Sequence, residues 1–230
     1  MRPLLLLALA AAALAITGCG GNDAAEAQDA EPLTLEQRVP NEADAPGWKP
    51  DPVETQRTAT GVDQFLERFE DQFVNPTAED ERKFKRAGFA SAISFTRFLP
   101  SEPGGPHTRS ASHLAALVMR FETEEGAKAA LELLHADSLR PCPESCASQV
   151  SEFDVDGIPD AIGVRRYATA ESIEETNDPG EPYDSYGIGF ADGPFVYSLA
   201  LFGPPGKVSE EEAKDLAETF YDRVQGAPPP

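Results

Sequence analysis

The stretch YGIGFADGPFVYSLALF, residues 186–202, contains two apolar runs joined by Ala191-Asp192-Gly193-Pro194. Asp-Gly between two apolar runs is a strong signal for a β-hairpin, so the stretch predicts two neighbouring antiparallel strands. Side chains alternate between the faces of a sheet, which puts Phe195, Tyr197 and Leu199 together on one face. An antiparallel sheet is therefore expected at the centre of the fold.

The chain on both sides of this hairpin repeats one order of elements: strand, long loop, strand, helix. Residues 89–135 contain two predicted strands and a helix that begins after Thr123, and residues 162–224 add a hairpin strand to the same order. Thr123 and Ser209 are good helix N-caps followed by acidic first turns. We expect an α+β domain with an antiparallel sheet and helices packed on one face. The repeated order of elements also suggests the hypothesis that the domain is built from two ββα pseudo-repeats.

Two further helices are predicted before the first of these strands. Apolar residues recur at helical spacing from Val62 to Phe73 and indicate a helix that packs on the sheet. The segment 78–86 has acids first, bases last and Gly88 just beyond it, an order that complements the helix dipole. Its basic end is also a candidate contact for a lipid headgroup or an anionic partner.

The composition excludes several classes of protein. The 230 residues include 40 Asp and Glu against 19 Lys and Arg, a formal net charge of −21, and 40% of the residues are apolar. A nucleic-acid binder needs a basic face, and a disordered chain has fewer apolar residues. We expect one folded domain over residues 46–226, with a disordered tail at 227–230.

The first twenty residues have the features of a bacterial export signal. Leu4 to Ile16 is an uncharged apolar run of 13 residues, too short to span a bilayer as a helix. The run leads into Ile16-Thr17-Gly18-Cys19, which resembles the lipobox of bacterial lipoproteins, with Ile16 where Leu is more usual. The resemblance implies removal of the signal peptide 1–18, lipid attachment at Cys19, and anchoring on the extracytoplasmic face of the cell membrane.

The segment after Cys19 has the composition of a linker. Residues 20–44 are mostly Gly, Ala, Asn, Asp, Glu and Gln, so 19–45 is interpreted as the lipidated cysteine followed by a flexible acidic tether. The motif Asp44-Ala45-Pro46-Gly47-Trp48 then resembles a short D-L-P-x-G-W-like start of small extracytoplasmic domains in actinobacterial lipoproteins. Here Ala45 replaces Leu, and the residue between Pro and Gly is missing.

The other two cysteines form a close pair, Cys142 and Cys146, in the loop sequence RPCPESC. Thiols oxidise outside the cytoplasm, so a structural disulfide is expected. Two alternatives stay open. A C-x-x-x-C pair with His135 nearby could bind copper, and a close cysteine pair could be a redox site.

Trp48 and three aromatic residues of the second half, Tyr186, Phe195 and Tyr197, define a candidate ligand groove. Packing in the core is the other interpretation of these side chains. The acidic run Asp154 to Asp160 has oxygen donors at alternate positions, as Ca²⁺ prefers, but it lacks the EF-hand pattern and is interpreted as a turn. No metal or other cofactor is expected.

The expected function is a non-catalytic binding or interaction module of the cell envelope. Its partners would be the membrane, through Cys19, and an unknown envelope protein or ligand, with no nucleic acid. The alternatives are a carrier of lipid or another hydrophobic small molecule, and a copper-binding protein that uses Cys142 and Cys146. An enzyme would need a polar cleft that brings His107 or His113 to a carboxylate.

Overall fold

The computed structural model describes residues 33–52, 56–69, 77–100, 111–140, 148–169 and 182–225. The predicted signal peptide, Cys19 and the pair Cys142 and Cys146 lie outside these residues. Their predicted cleavage, lipidation and disulfide therefore stay predictions. Among the described residues, none of the helices combines the length and apolar content that crossing a bilayer requires.

The described elements include eight strands and four α-helices. The strands are β1 Lys49–Pro50, β2 Arg57–Thr60, β3 Phe89–Leu99, β4 Ser112–Phe121, β5 Gln149–Phe153, β6 Ile162–Ala168, β7 Tyr183–Asp192 and β8 Phe195–Gly203. The helices are α1 Val62–Arg68, α2 Ala78–Arg86, α3 Glu124–Ser138 and α4 Glu210–Gln225, and a short 3-10 helix, Glu36–Arg38, precedes them all.

All the strands belong to one antiparallel sheet, which confirms the predicted α+β class. The strand order is β1-β3-β4-β8-β7-β6-β5, and β2 pairs with β3 beside β1. The hairpin predicted from residues 186–202 joins β7 and β8. Asp192 pairs with Phe195 across a two-residue loop, in which Gly193 has a φ of 51°. A positive φ at the first loop residue, followed by Pro194, suits the twist of the two strands.

Helices cover both faces of the sheet, and the prediction of a single covered face is wrong. On the α3 face, Leu117, Met119 and Val196 pack with residues of α1, α2 and α3. On the α4 face, Tyr197 and Leu199 pack with residues of α4. The two residue sets alternate along β4 and β8, so both strands are buried on both faces. A near-continuous apolar run is typical of such strands, so the sequence did contain a signal for the second covered face.

The two predicted ββα units are present in the chain as β3-β4-α3 and β7-β8-α4. Their inner strands, β4 and β8, are antiparallel neighbours at the centre of the sheet. A two-fold axis perpendicular to the sheet between them would place both helices on the same face. Because α3 and α4 lie on opposite faces, the two units are not related by such an axis.

Residues 33–48, which we call the strap, pack against the α4 face. Arg38 is 2% exposed, and Ala45 and Trp48 are also buried. This differs from the sequence prediction, which extended the flexible tether to residue 45. Arginine side chains hold the strap in place: Arg223 donates to both Asp44 oxygens at 2.7 and 2.9 Å and to the carbonyl oxygens of Gln37 and Val39.

Candidate functional site

The four residues predicted to form a ligand groove are buried core residues beneath α4 and the strap. Trp48, Tyr186, Phe195 and Tyr197 are 6%, 7%, 3% and 0% exposed. The structure does bring them into one apolar cluster. They present too little surface to line an open groove, so the alternative interpretation, core packing, describes them better.

Tyr197 lies at the centre of this cluster. Its ring stacks on Phe190 with the centroids 4.9 Å apart and meets Phe220 edge-on at 5.5 Å. Its hydroxyl oxygen accepts a hydrogen bond of 2.7 Å from Nη1 of Arg38. Burial raises the pKa of Tyr197 to about 12, against the opposite influence of the Arg38 charge. The hydroxyl therefore stays protonated at neutral pH, and Arg38 serves to hold the strap.

The other face of the sheet has a concave feature, a slot of about 50 Å³ between α3 and the strands β6, β7 and β8. Leu131 and Leu134 form its roof, Ile162 and Val164 its wall, Gly187, Gly189 and Ser198 its floor, and His135 and Ser138 its mouth. The lining is mostly apolar, with a few polar groups at the mouth and the floor. This is the usual composition of a ligand site in proteins.

The slot exists because two floor positions lack a side chain. A Cβ atom at Gly187 would meet only the carbonyl oxygens of Val164 and Leu199, at 3.6 and 3.9 Å, which are ordinary van der Waals distances, so a methyl group would fit there. A Cβ atom at Gly189 would come within 3.0 Å of Cδ1 of Leu131. Glycine inside a strand often marks a close approach of another group to the backbone. Here the missing side chain of Gly189 lets Leu131 of α3 pack close to β7, and the missing side chain of Gly187 leaves the floor of the slot unfilled.

The mouth of the slot leads to a wider, polar depression of about 630 Å³, which we call the acidic trough. Its carboxylates are Glu152, Asp154 and Asp156. Two other residues that line the trough, His135 and Ile162, also line the slot. Nε2 of His135 lies 2.8 Å from Oε1 of Glu152, so this pair links α3 to β5 between the two spaces.

The described residues contain no group of three or more His, Cys, Asp or Glu side chains placed to hold a metal ion. Gly157 and Asp160 have positive φ angles of 83° and 54°, as residues of turns often do. The acidic run from Asp154 to Asp160 therefore fits a turn. The copper alternative stays untested, because Cys142 and Cys146 are outside the described residues.

His113, named in the enzymatic alternative, does lie near a carboxylate. Its Nδ1 is 3.4 Å from Oδ2 of Asp51, and its ring stacks on Phe202 with centroids 5.1 Å apart. Both side chains are largely buried, at 14% and 2% exposure. The contact ties the segment after β1 to β4. His107 is outside the described residues.

Comparison with known proteins identifies a fold and no family. No family model and no curated protein matches the sequence. Among solved structures, the chain is similar to the extracellular domain of PknH from Mycobacterium tuberculosis, with a TM-score of 0.50 and 12% sequence identity. The similarity covers 84% of this chain and 97% of that chain. At this identity it shows a shared fold and nothing about ligands.

The slot was missed in the sequence, although the sequence contains a signal for it. Gly187 and Gly189 alternate with Ile188 in a predicted strand, so both glycines lie on one face. A strand face without side chains, under a predicted helix, indicates close packing or a cavity. The strap had no comparable signal, because Arg38 and Arg223 gave no sign of being buried partners.

Proposed function

We propose that the protein is a lipid-anchored extracytoplasmic binding module, without chemistry of its own, that takes an apolar group of a ligand or partner into the slot beneath α3. The observation that supports the slot as the site is its glycine floor. At Gly187 a methyl group would fit without a clash, so space that an alanine could fill is left open. Proteins rarely leave such space in a packed interior.

The proposed compartment rests on the lipobox-like Ile16-Thr17-Gly18-Cys19 and on a fold shared with an extracellular domain. Because residue 33 is already part of the strap, only the segment between Cys19 and Leu33 can separate the domain from the bilayer. Fully extended, that segment reaches roughly 50 Å. A domain held this close to the membrane is placed to meet other molecules of the envelope.

The dimensions of the slot favour a binding module over a carrier. Pockets for drug-sized ligands have volumes of about 300–1,000 Å³, whereas the slot has about 50 Å³. It therefore suits one small apolar group, such as a branched side chain, and it is too small to enclose a lipid.

The polar groups at the mouth favour binding over catalysis. Ser138 donates its hydroxyl proton to the carbonyl oxygen of Leu134 at 2.8 Å, and Nε2 of His135 contacts Glu152. A serine nucleophile needs a hydrogen bond to its base. Here each group already has another partner.

The test uses isopropanol as a small apolar probe and NMR of methyl groups as the readout. In the unmodified protein, the probe should shift the methyl signals of Leu131, Ile162 and Val164. Gly187→Ala should abolish these shifts while the protein becomes slightly more stable, by about 0.4–1 kcal/mol, because alanine restricts the unfolded chain. The matched control, Ala200→Ser, adds one heavy atom to the cross-strand neighbour of Gly187 outside the slot and should preserve the shifts.

Equal probe shifts in Gly187→Ala and the unmodified protein would reject the slot as a site. Copurification of a stoichiometric lipid, seen by native mass spectrometry without detergent, would instead favour the carrier alternative. The anchor is tested separately. Cys19→Ser should prevent the mass increase from acylation and release the protein from membranes, and continued membrane retention would refute lipidation.

A further inference from the structure

The free edge of β5 offers a second binding surface, separate from the slot. β5 is the last strand in the order of the sheet and pairs only with β6 among the described strands. Its residues Gln149–Phe153 are exposed or half-buried. In the described part of the chain, the outward backbone N–H and C=O groups of β5 have no hydrogen-bond partner. Such a row of groups is a template for another strand.

The opposite edge of the sheet is protected by devices that β5 lacks. There the edge is divided between β1, with two residues, and β2, with four. β1 consists of Lys49 and Pro50, and proline cannot donate a backbone hydrogen bond. β5 is a continuous strand of five residues without lysine or proline. The difference between the two edges indicates that the edge of β5 is available for pairing with another strand.

The charge beside this edge selects the kind of partner. Glu152, Asp154 and Asp156 are exposed carboxylates at the end of β5 and line the acidic trough. The Lys214 ammonium lies near Asp154 and Asp156, and its Nζ is also 2.7 Å from Oε1 of Glu210. A second copy of the chain would bring the same carboxylates and another net charge of −21 to this edge. Like charges disfavour that pairing, whereas lysine or arginine side chains would be attracted.

We infer that β5 docks an extended, basic segment of a partner protein, which adds to the sheet as a further strand with its Lys or Arg side chains at Glu152, Asp154 and Asp156. Backbone hydrogen bonds to β5 provide the affinity, and the carboxylates provide the selectivity. Five residues of strand span about 17 Å, so the segment is short and the complex is transient. This inference does not depend on the slot, which lies beneath α3.

The experiment uses the full-length chain in nanodiscs of zwitterionic lipid and three synthetic peptides. The first is acetyl-KVTVKVK-amide, the second carries Glu in place of each Lys, and the third is the first with N-methyl groups on alternate residues. N-methylation preserves the charge of the peptide and blocks strand pairing. We expect the first peptide to bind and to slow amide hydrogen exchange at residues 149–153. The other two should bind at least tenfold more weakly.

Charge reversal tests the carboxylates. The double variant Asp154→Lys with Asp156→Lys should weaken binding of the first peptide at least fivefold. The matched control, Glu211→Lys with Asp215→Lys, makes the same change of charge at exposed positions on α4 and should change binding less than twofold. Circular dichroism checks that both double variants remain folded.

Three outcomes would overturn the inference. Equal binding of the N-methylated peptide would show an attraction of charge without strand addition. Equal weakening by both double variants would show that the overall charge acts and not the trough. If amide exchange at residues 149–153 slows as the protein concentration increases, without any peptide, a second copy of the chain is the occupant of the edge. In each case the Gly187→Ala test of the slot keeps its own result.

Discussion

The contact between Arg38 and Tyr197 decides whether the strap is part of the folded domain in solution. Arg38 is almost fully buried, donates to Oη of Tyr197 at 2.7 Å, and lies with its Cζ 3.9 Å above the ring of Phe195. Tyr197→Phe removes the acceptor and leaves a buried guanidinium N–H without a partner. A hydrogen bond to a charged group contributes about 1.5–3 kcal/mol, so this variant should lose about 2 kcal/mol of stability.

The partner variant should behave differently. Arg38→Met removes a buried charge and keeps an apolar contact with Phe195, so its loss should be smaller, about 1 kcal/mol. When both polar partners are replaced together, no buried group is left unsatisfied. The double variant should therefore lose less than the sum of the single variants, with a coupling of about 2 kcal/mol. In a chain of this size, 2 kcal/mol corresponds to a change in Tm of about 4–8 °C.

The assay is urea unfolding of the chain from residue 20 onward, combined into a double-mutant cycle. A second readout is the carboxyl group of Asp192. Burial raises the pKa of Asp192, and the charge of Arg38 opposes that shift, so Arg38→Met should raise this pKa further in an NMR titration. If all three variants unfold within 0.5 kcal/mol of the unmodified protein and Asp192 titrates unchanged, the strap is detached and the sequence prediction of a tether to residue 45 is restored.

Three further predictions follow from other contacts. Burial tends to raise the pKa of Asp80, but hydrogen bonds from Arg140 and from Thr77 lower it to about 2. The ionised carboxylate therefore contributes about 2 kcal/mol of stability above pH 4, and this contribution is lost as the pH falls towards 2. Asp80→Asn should flatten the acid limb of the stability curve measured by urea unfolding. Leu131→Ala should enlarge the slot, cost about 2–5 kcal/mol, and strengthen the isopropanol shifts. Arg223→Ala leaves Asp44 buried without its cation and should cost about 3 kcal/mol, with faster amide exchange confined at first to the strap.

Local patterns in the sequence predicted most of the elements. The hairpin at Gly193, the helix after Thr123 and the segment 78–86 are present as expected, because each depends on turn and capping residues close in sequence. The capping box of α2 is one example, with Thr77 and Asp80 bonded to each other's backbone N–H groups. Such contacts depend on a few neighbouring residues, so one sequence reveals them.

The arrangement of the elements was less predictable, because it depends on contacts distant in the chain. Arg38 meets Tyr197 and Arg223 meets Asp44 across more than 150 positions, and nothing in the acidic composition of residues 20–44 indicates either partner. The aromatic residues of β8 were interpreted in part as a groove because alternation places them on one face. It does not say what covers that face, and the strap and α4 cover it.

The covering of the α4 face limits where a ligand can bind. Trp48 and Tyr197 are enclosed there, so binding at the predicted aromatic groove would require the strap to leave. The α3 slot and the β5 edge need no such change, and both belong to the half of the sheet formed by β5 to β8. β5 lies three strand spacings from β8, or about 14 Å. The strap contacts β8 through Arg38 and β3 through Arg97, which donates to the carbonyl oxygens of Pro40 and Trp48. It therefore leaves the β5 edge accessible, and a partner added at β5 would lie beside the mouth of the slot at His135 and Glu152. The strap and the two proposed binding surfaces therefore lie at different places on the sheet, and stabilising the strap should leave peptide binding unchanged.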